Sequence, residues 1–524
     1  MLLAIGIDGA TFDLIKPWLA EGHLPTLGTL LRTGAHGVLR STLPPVTAPA
    51  WASFMTGLQP ARHGIFDFFV PGRAAQGRLE LVNSTYMRGL SLWEALSAAG
   101  ARVGVLNVPL TYPPRPVNGF LVPGLLSPDQ GATTYPAGFL GAYEAELGPY
   151  RLTPRSLFRP NFPQPFIDEL LAVTDSQIRY ALRLSREHPV DFLMVHFLAT
   201  DIAQHKLWRY MDTTHPWHDS ADEARYGTAI RDIYRRIDAG LGELLGQLPG
   251  DVTVLVMSDH GFGPQHRTVN LNNLLQVTGD LRLKRTAGVW LRRRAQGSRL
   301  ARRALGWRQP DRRDQPLQFS DVDWAQTRAY AIGHMGQVYL NVQGREPAGW
   351  VPRADYLEQR AGLAERLLAW RASDGQRGVD AVIPAPGLTS GGPDLHVIMD
   401  DYRSVAYPLF AADGRISLEQ RWGDSGNHRP QGILILHGPD IQTGLTLAET
   451  HITDLMPTIL HLLGVPVPSD LDGRVLMEAL TLEARARRPL VSAASPLTPP
   501  PALALDPAAT AAVTARLRAL GYLG

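Results

Sequence analysis

Short runs of apolar residues alternate along the chain with longer segments whose apolar positions recur at about 3.6-residue spacing. Each run ends at a polar or acidic residue; Leu2–Ile7, for example, is followed directly by Asp8. The other runs occupy residues 101–106, 191–198, 252–257 and 432–436. Unbroken apolar runs are typical of strands buried on both faces of a parallel sheet. The periodic segments, such as 166–187 and 226–247, predict helices between the strands.

This alternation predicts an α/β fold with a largely parallel central sheet flanked by helices. Ligands of such sheets bind beyond the carboxyl ends of the strands. We therefore expect the polar residues that end the apolar runs to form the functional site.

Two regions depart from the alternation. Residues 264–427 separate two of the polar strand ends and contain a strongly basic stretch, 282–313, with Trp290 and Trp307 among its arginines. Residues 481–524 contain the segment PLTPPP and an Ala/Leu/Arg-rich end, which are typical of a linker and a helix. We predict a core at 1–263 and 428–480, an inserted cap at 264–427, and a Pro/Ala-rich linker with a helical tail at 481–524.

The basic stretch 282–313 has two interpretations. A solvated helix face is the one we favour, and a patch for phosphate or a membrane surface is the alternative.

The composition excludes several classes of function. The 524 residues include no cysteine, so disulfides, thiolate nucleophiles, cysteine-based zinc sites and iron–sulfur clusters are excluded. A net charge of +2 predicts no nucleic-acid partner. The apolar start, residues 1–7, is too short for a secretion signal. No apolar run reaches the roughly eighteen residues of a transmembrane helix, and we expect a cytoplasmic location.

Six side chains with the chemistry of metal ligands lie at the ends of the runs or in adjoining loops. They are Asp8, Asp201, His205, Asp259, His260 and His428. Carboxylate and imidazole ligands together suit zinc or manganese rather than calcium, and we place zinc ahead of manganese. A tetrahedral catalytic ion takes three protein ligands. Six ligands therefore match two divalent ions at roughly 3.5–4 Å from each other.

A two-ion site needs a nucleophile, and the segment PPVTAPAWASFMTG offers Thr47 between prolines. A helix N-terminus attracts anions, and an alcohol beside a metal ion loses its proton more readily. Ser53 and Thr56 are competing hydroxyls, ranked lower because they would lie within the helix. Taken singly, each ligand also has an ordinary interpretation as a turn, a cap or a surface pair. Their joint occurrence at matching strand ends favours a metal site.

The motifs GIDGA, PPVTAPAWASFMTGLQPARHGIFDF, TDIAQH, SDHGFG and GNHRPQG stand in an order that resembles the alkaline phosphatase superfamily. The likeness is strongest to its type I phosphodiesterase/nucleotide pyrophosphatase branch, and to bacterial and archaeal proteins grouped as predicted phosphohydrolases or phosphomutases. The segment ITDLMPTILHLLGVPVPSDLDGRVL resembles the same superfamily near its C-terminal end. The resemblance covers most of residues 1–480 and is weakest in the cap.

The resemblance implies an alkaline-phosphatase-like core in which Thr47 is the nucleophile and forms a covalent phospho-threonine, which water then hydrolyses. It also implies two groups of metal ligands. The first group is Asp201, His205 and His428. The second group is Asp8, Asp259 and His260.

One position departs from the family pattern. Where nucleotide pyrophosphatases carry an asparagine that binds a phosphoryl oxygen, this chain has Phe68. The resemblance therefore leaves nucleotide specificity in doubt, and we expect Asn107 or a cap residue to complete phosphate binding.

The sequence predicts a two-metal phosphohydrolase that acts on a small phosphomonoester or phosphodiester. One alternative is a phosphomutase or phosphotransferase that uses the same intermediate. The other is a non-catalytic binding protein on the same fold. The sequence leaves the oligomeric state open.

Overall fold

The computed structural model describes residues 1–129, 133–290, 317–371, 378–389, 391–411, 414–419, 423–494 and 505–522. Within these ranges the chain divides into two compact units. The core unit consists of Met1–Ile65, Val82–Pro264 and Asp424–Leu520. The second unit consists of Phe66–Leu81, Gln265–Gly423 and Gly521–Gly524. Residues 66–81 thus belong to the second unit, although the sequence pattern assigned them to the core.

The strands are β1 (Leu2–Ile7), β2 (Ala35–Arg40), β3 (Val103–Leu106), β4 (Gly119–Val122), β5 (Phe192–Phe197), β6 (Thr253–Met257), β7 (Gly261–Pro264), β8 (Arg267–Asn270), β9 (Ala329–Ala331), β10 (Gln337–Leu340), β11 (Ala381–Pro384), β12 (Leu395–Ile398), β13 (Ser404–Tyr407), β14 (Ser417–Glu419), β15 (Gly426–Arg429), β16 (Gln431–His437), β17 (Leu445–Thr446), β18 (Thr450–His451), β19 (Val467–Pro468) and β20 (Ser492–Ala493).

The α-helices are α1 (Phe12–Ala20), α2 (Pro25–Thr33), α3 (Thr47–Thr56), α4 (Pro60–His63), α5 (Pro71–Ala75), α6 (Leu92–Ala98), α7 (Glu144–Leu147), α8 (Gln164–Glu187), α9 (Ala199–Met211), α10 (Ser220–Tyr226), α11 (Ala229–Gln247), α12 (Leu271–Val277), α13 (Tyr356–Ala369), α14 (Leu455–Leu462), α15 (Leu482–Arg487) and α16 (Pro507–Leu520). Every helix among the described residues is too short or too polar to cross a membrane.

A nine-stranded sheet forms the centre of the core unit. Its order is β17-β2-β16-β6-β1-β5-β3-β4, and β18 also pairs with β2. Strand β1 lies between β5 and β6 and is parallel to both. All six of its residues are buried, as its unbroken apolar run predicts for a strand covered on both faces. The prediction of an α/β fold with a mostly parallel central sheet is confirmed.

Strand β16 is an exception, because it is antiparallel to both of its neighbours, β6 and β2. Its first residues therefore lie beside the last residues of β6, and the amide of Ser258 donates to the carbonyl of Ile433. Its last residue, His437, pairs with Val254 near the start of β6. The segment that precedes β16 thus reaches the edge of the sheet where the parallel strands end.

The predicted apolar runs correspond to β1, β3, β5, β6 and β16, with ends that differ by at most two residues. The predicted helix 166–187 is α8, which begins two residues earlier, and the predicted helix 226–247 is α11, which begins three residues later. Helix α11 packs against α8 and α9.

The second unit contains two smaller sheets, β11-β12-β10-β9 and β13-β8-β14. Most of the basic stretch 282–313, including Trp307, lies outside the described residues. Within the described part, Trp290 is 55% exposed and the Lys284 ammonium donates to the carbonyl of Ser320. In the C-terminal region α15 and α16 are helical, whereas the PLTPPP segment lies outside the described residues.

Candidate metal centre

Thr47 is the first residue of α3. Val46, which precedes it, has an extended backbone with φ −120° and ψ 140°, and Gly57 ends the helix with a φ of 66°. Pro49 fits in the first turn, because the amides there have no partner inside the helix. Thr47 therefore lies at the helix end where free amides and the helix dipole favour an anion. Its side chain is fully buried, with Oγ1 3.4 Å from Nε2 of His260.

The two competing hydroxyls lie within α3 and bind protein groups. Thr56 Oγ1 donates to the carbonyl of Ala52. Ser53 Oγ lies 3.0 Å from Nε2 of His63, whose Nδ1 accepts the amide hydrogen of Ile65. Since Nδ1 is an acceptor, the proton of the neutral ring is on Nε2 and is donated to Ser53. His63 in this form cannot take a proton from Ser53, so this pair is not a nucleophile with its base.

The buried His63 makes the stability of the protein depend on pH. Burial lowers the pKa of His63 to about 3, against 6.5 for an ordinary histidine. Between these values the unfolded chain binds more protons, so the stabilising contribution is present above pH 6.5 and is lost as the pH falls. For this group alone the loss at pH 5 is about 2 kcal/mol. We expect His63→Gln to flatten the fall in melting temperature between pH 7 and pH 5, and an unchanged slope would contradict the neutral buried ring.

Asp8 directly follows β1, and its carboxylate is fully buried. The indole N–H of Trp51 donates to Oδ2 at 3.2 Å, and Nε2 of His196 lies 2.8 Å from the same oxygen. No N–H or hydroxyl of a described residue donates to Oδ1, which lies 3.7 Å from Nε2 of His260. Burial and the negative charge of Asp201 raise the pKa of Asp8 well above its ordinary value. The carboxylate form thus lacks a compensating charge.

The glycines on either side of Asp8 leave room for its neighbours. A Cβ on Gly6 would lie 2.6 Å from the Trp51 ring. Gly9 has a φ of 67°, and a Cβ there would lie 2.8 Å from the Phe262 ring. The amide of Gly9 also donates to Oδ1 of Asp259 at 3.2 Å. The GIDGA motif is therefore explained by close approach of side chains to the turn after β1.

Asp201 and His205 lie one turn apart on α9, which begins two residues after β5. Their spacing places both side chains on one helix face, as the D-x-x-x-H pattern predicts. Asp201 is fully buried and His205 is 7% exposed, which excludes an ordinary surface pair. Oδ1 of Asp201 lies 3.6 Å from Nε2 of His205.

Asp259 and His260 follow β6, and His428 comes from β15. Strand β15 pairs antiparallel with β7, which sets His428 opposite Phe262. The His428 ring then stacks on His260, with ring centroids 3.6 Å apart and planes at 21°. Oδ2 of Asp259 lies 3.2 Å from Nε2 of His260 and receives no N–H or hydroxyl hydrogen bond from the described residues. Burial and the charges of Asp8 and Asp201 raise the pKa of Asp259.

The three histidines of the cluster share one hydrogen-bonding pattern, in which Nδ1 faces a backbone carbonyl. The pairs are His205 with Gly426 at 3.1 Å, His260 with Gly261 at 3.1 Å and His428 with Pro45 at 2.8 Å. A carbonyl can only accept, so each neutral ring carries its proton on Nδ1 and a lone pair on Nε2. Burial lowers the pKa of His205 to about 4, and that of His260 well below its ordinary value.

In this orientation the Nε2 atoms of His205 and His428 face each other and are only 2.9 Å apart. Oδ1 of Asp201 lies 3.2 Å from the same nitrogen of His428. Electron pairs from imidazoles and carboxylates therefore converge in a buried space, where a cation would be stabilised. This donor set fits a divalent transition-metal ion.

The candidate ligands form two groups, in each of which the ligand atoms lie within 4.8 Å of one another. The first is Asp201, His205 and His428. The second is Asp8, Asp201 and His260. The first matches the set that the resemblance implies. In the second, Asp201 takes the place expected for Asp259, which lies beside His260 but outside the group.

Asn107, predicted to bind substrate, follows β3 and lies behind Asp8. Its amide Nδ2 donates to the carbonyl of His196 at 3.0 Å, and its Oδ1 accepts from the hydroxyl of Tyr150. Both ends of the side chain are thus bound within the protein. Contact with substrate stays a prediction, and the visible role of Asn107 is to hold His196. Phe68 is fully buried and belongs to the second unit.

The pattern of the sequence did not indicate Trp51 and His196 as parts of the site. His196 lies in an apolar run, where a histidine is usually a core or strand-end residue. The position of His196 follows from the register of two parallel strands, in which His196 pairs with Gly6 of the GIDGA motif. Gly6 is two positions before Asp8, so a histidine that pairs with Gly6 from the neighbouring strand lies close to the Asp8 carboxylate.

A hydroxyl at a helix N-terminus lies beside two Asp/His groups at the edge of a mostly parallel sheet, an arrangement that suits metal-dependent hydrolysis of a phosphoric ester. The chain belongs to the type I phosphodiesterase / nucleotide pyrophosphatase family, whose model matches residues 2–384. The match includes Thr47 and every candidate metal ligand except His428. None of the curated proteins matches the chain.

Solved structures support the fold. Phosphonoacetate hydrolase from Sinorhizobium meliloti 1021, in complex with phosphonoacetate, is similar with a TM-score of 0.54 and 17% identity, over 87% of this chain and 94% of that one. Human ectonucleotide pyrophosphatase / phosphodiesterase 5 is similar with a TM-score of 0.50 and 14% identity, over 92% and 99% of the two chains. An inactive variant of the murine ectonucleotide pyrophosphatase / phosphodiesterase 5, in complex with AMP, is similar with a TM-score of 0.51 and 13% identity, over 92% and 99% of the two chains.

Proposed function

We propose that this protein is a two-metal phosphohydrolase that cleaves a small phosphomonoester or phosphodiester through a phospho-threonine formed on Thr47. The observation that carries the proposal is the convergence of imidazole Nε2 atoms and buried carboxylate oxygens next to Thr47 Oγ1. A non-catalytic protein on this fold has no need to keep such a costly buried cluster together with the hydroxyl.

Two groups of side chains would hold the ions. One ion would be held by Asp201, His205 and His428, and the other by Asp8, Asp201 and His260, with Asp259 beside it. When bound, two such ions supply positive charge that stabilises a transferring phosphoryl group and make a nearby hydroxyl more acidic. We propose zinc in preference to manganese on the basis of the imidazole content.

The protein's own groups would carry out a double displacement. Thr47 Oγ loses its proton to water and attacks phosphorus, so that an O–P bond forms and the bond from phosphorus to the leaving oxygen breaks. The departing oxygen gains a proton from water. In the second step water attacks phosphorus, the Thr47 O–P bond breaks and the hydroxyl is restored. The amides at the start of α3 bind and orient phosphoryl oxygens in both steps.

The substrate class is supported by the two similar structures that contain small phosphorus compounds, AMP and phosphonoacetate. The phenylalanine at position 68, in place of the family's asparagine, favours a substrate other than a nucleotide. A phosphotransferase would use the same first step and pass the phosphoryl group to an alcohol.

Paired substrates test the proposal. Protein loaded with zinc or manganese is assayed with p-nitrophenyl phosphate and bis-p-nitrophenyl phosphate, with and without a chelator. We expect metal-dependent release of p-nitrophenol from at least one of the two. The relative rates of the two reactions distinguish a preference for monoesters from one for diesters. Phosphorylation of added glycerol would identify a phosphotransferase. A protein that holds two ions and turns over neither compound would contradict the proposal.

A further inference from the structure

Two ring nitrogens lie close to one oxygen of Asp8. The indole N–H of Trp51 donates to Oδ2 at 3.2 Å, and Nε2 of His196 lies 2.8 Å from the same atom. Nδ1 of His196 faces the carbonyl of Asn107 at 2.9 Å and must donate to it. Oδ2 of Asp8 thus lies within hydrogen-bonding distance of two ring nitrogens, one from Trp51 and one from His196.

The His196 ring is held from behind. Asn107 accepts from Nδ1 through its carbonyl and donates its side-chain amide to the carbonyl of His196 at 3.0 Å. Asn107 has a φ of 68°, a left-handed conformation that asparagine adopts more readily than most residues. The hydroxyl of Tyr150 in turn donates to Oδ1 of Asn107. A rotation of the His196 ring would therefore have to break buried hydrogen bonds.

Trp51 is fixed by packing. It is fully buried, and its ring lies edge-on to His196 with centroids 4.6 Å apart at 77°. A side chain at Gly6 would overlap it. Since neither ring has room to move, their contacts fix the orientation of the Asp8 carboxylate about its Cβ–Cγ bond.

This arrangement leaves Asp8 with one free oxygen, Oδ1, on the side of His260. Calcium takes six to eight oxygen ligands and commonly uses both oxygens of a carboxylate. Zinc and similar ions accept about four ligands and bind a carboxylate through one oxygen. We propose that Trp51 and His196 are positioning residues that restrict Asp8 to a single ligand oxygen and so select a transition-metal ion over calcium. This proposal rests on the proposed metal site.

The test uses Trp51→Phe, which removes the N–H but keeps an aromatic ring, and Trp93→Phe as the matched control. Trp93 lies on α6 and is a buried core residue of the same unit. Full-length protein is stripped of metal and titrated with Co²⁺ alone and with Ca²⁺ alone, and melting temperatures are recorded. We expect Trp51→Phe to weaken one of the two Co²⁺ affinities by about 10- to 100-fold. The other Co²⁺ affinity stays at the wild-type value, and the preference for Co²⁺ over Ca²⁺ falls.

Each other outcome has a defined meaning. Unchanged Co²⁺ and Ca²⁺ affinities in Trp51→Phe would overturn the proposal. Equal weakening of both Co²⁺ sites with a lower melting temperature would assign Trp51 a packing role and also overturn it. His196→Gln serves as the second variant and should weaken the same single site. If wild-type protein itself binds fewer than two Co²⁺ ions, the result contradicts the proposed two-metal function, and the proposal for Trp51 and His196 falls with it.

Discussion

Replacing Thr47 by alanine is expected to lower kcat by about 1,000-fold or more, with both metal ions still bound. The attacking oxygen has no substitute in α3, because Ser53 and Thr56 are engaged in hydrogen bonds to His63 and Ala52. Losses of this order follow removal of a covalent nucleophile elsewhere, and the remaining groups sustain a residual rate. Steady-state kinetics of metal-loaded protein would measure the loss, with metal content determined on the same sample.

Two variants control this result. Thr47→Ser keeps the oxygen and should retain a measurable part of the turnover, whereas Ser53→Ala should retain nearly all of it. Thr47 is the first residue of α3 and its side chain is small, so we expect Thr47→Ala to unfold within a few degrees of wild type. Wild-type turnover by Thr47→Ala with metals bound would show that another group attacks phosphorus.

Replacing Asp201 by asparagine is expected to remove both metal ions and all detectable activity. Asp201 belongs to both ligand groups, and its Oδ1 lies 3.2 Å from Nε2 of His428 and 3.9 Å from Nε2 of His260. Asparagine has nearly the same shape but no negative charge, so each site loses a charged ligand at little cost in packing. Elemental analysis of the purified protein after gel filtration would give the ions per chain.

His205→Ala is the comparison for Asp201→Asn, since His205 belongs to one ligand group only. It should lose one ion and keep the other. If Asp201→Asn and His205→Ala lose the same single ion, Asp201 serves one site, as the resemblance alone implies. Full metal content in Asp201→Asn would show that the ions are held elsewhere.

Local sequence patterns were sufficient for much of the site. Asp8 directly follows a strand that is apolar throughout, and Asp201 and His205 are four residues apart on a helix, so each could be placed from its own segment. Thr47 could be placed because prolines and a final glycine mark the ends of its helix. These features depend on residues close in sequence, where periodicity and capping are informative.

The remaining features depend on pairings between distant segments. The antiparallel direction of β16 brings His428, which precedes that strand, to the edge where other strands end, and nothing in its apolar run indicates direction. The contact of His196 with Asp8 depends on the register of β1 with β5, and that of Trp51 depends on the packing of α3 beside Gly6. Asp201 can belong to both ligand groups because of the direction that α9 takes after the end of β5. Register and strand direction are set by tertiary packing, which a single sequence does not display.

The central claim is that Thr47 carries the phosphoryl group during turnover. The most direct test mixes metal-loaded protein with a substrate found in the p-nitrophenyl assay, quenches with acid within a single turnover, and maps the phosphorylated residue by peptide mass spectrometry. The account predicts phosphate on Thr47, and none on Ser53 or Thr56. Sustained turnover with no phosphorylated peptide, or with phosphate on another residue, would contradict it.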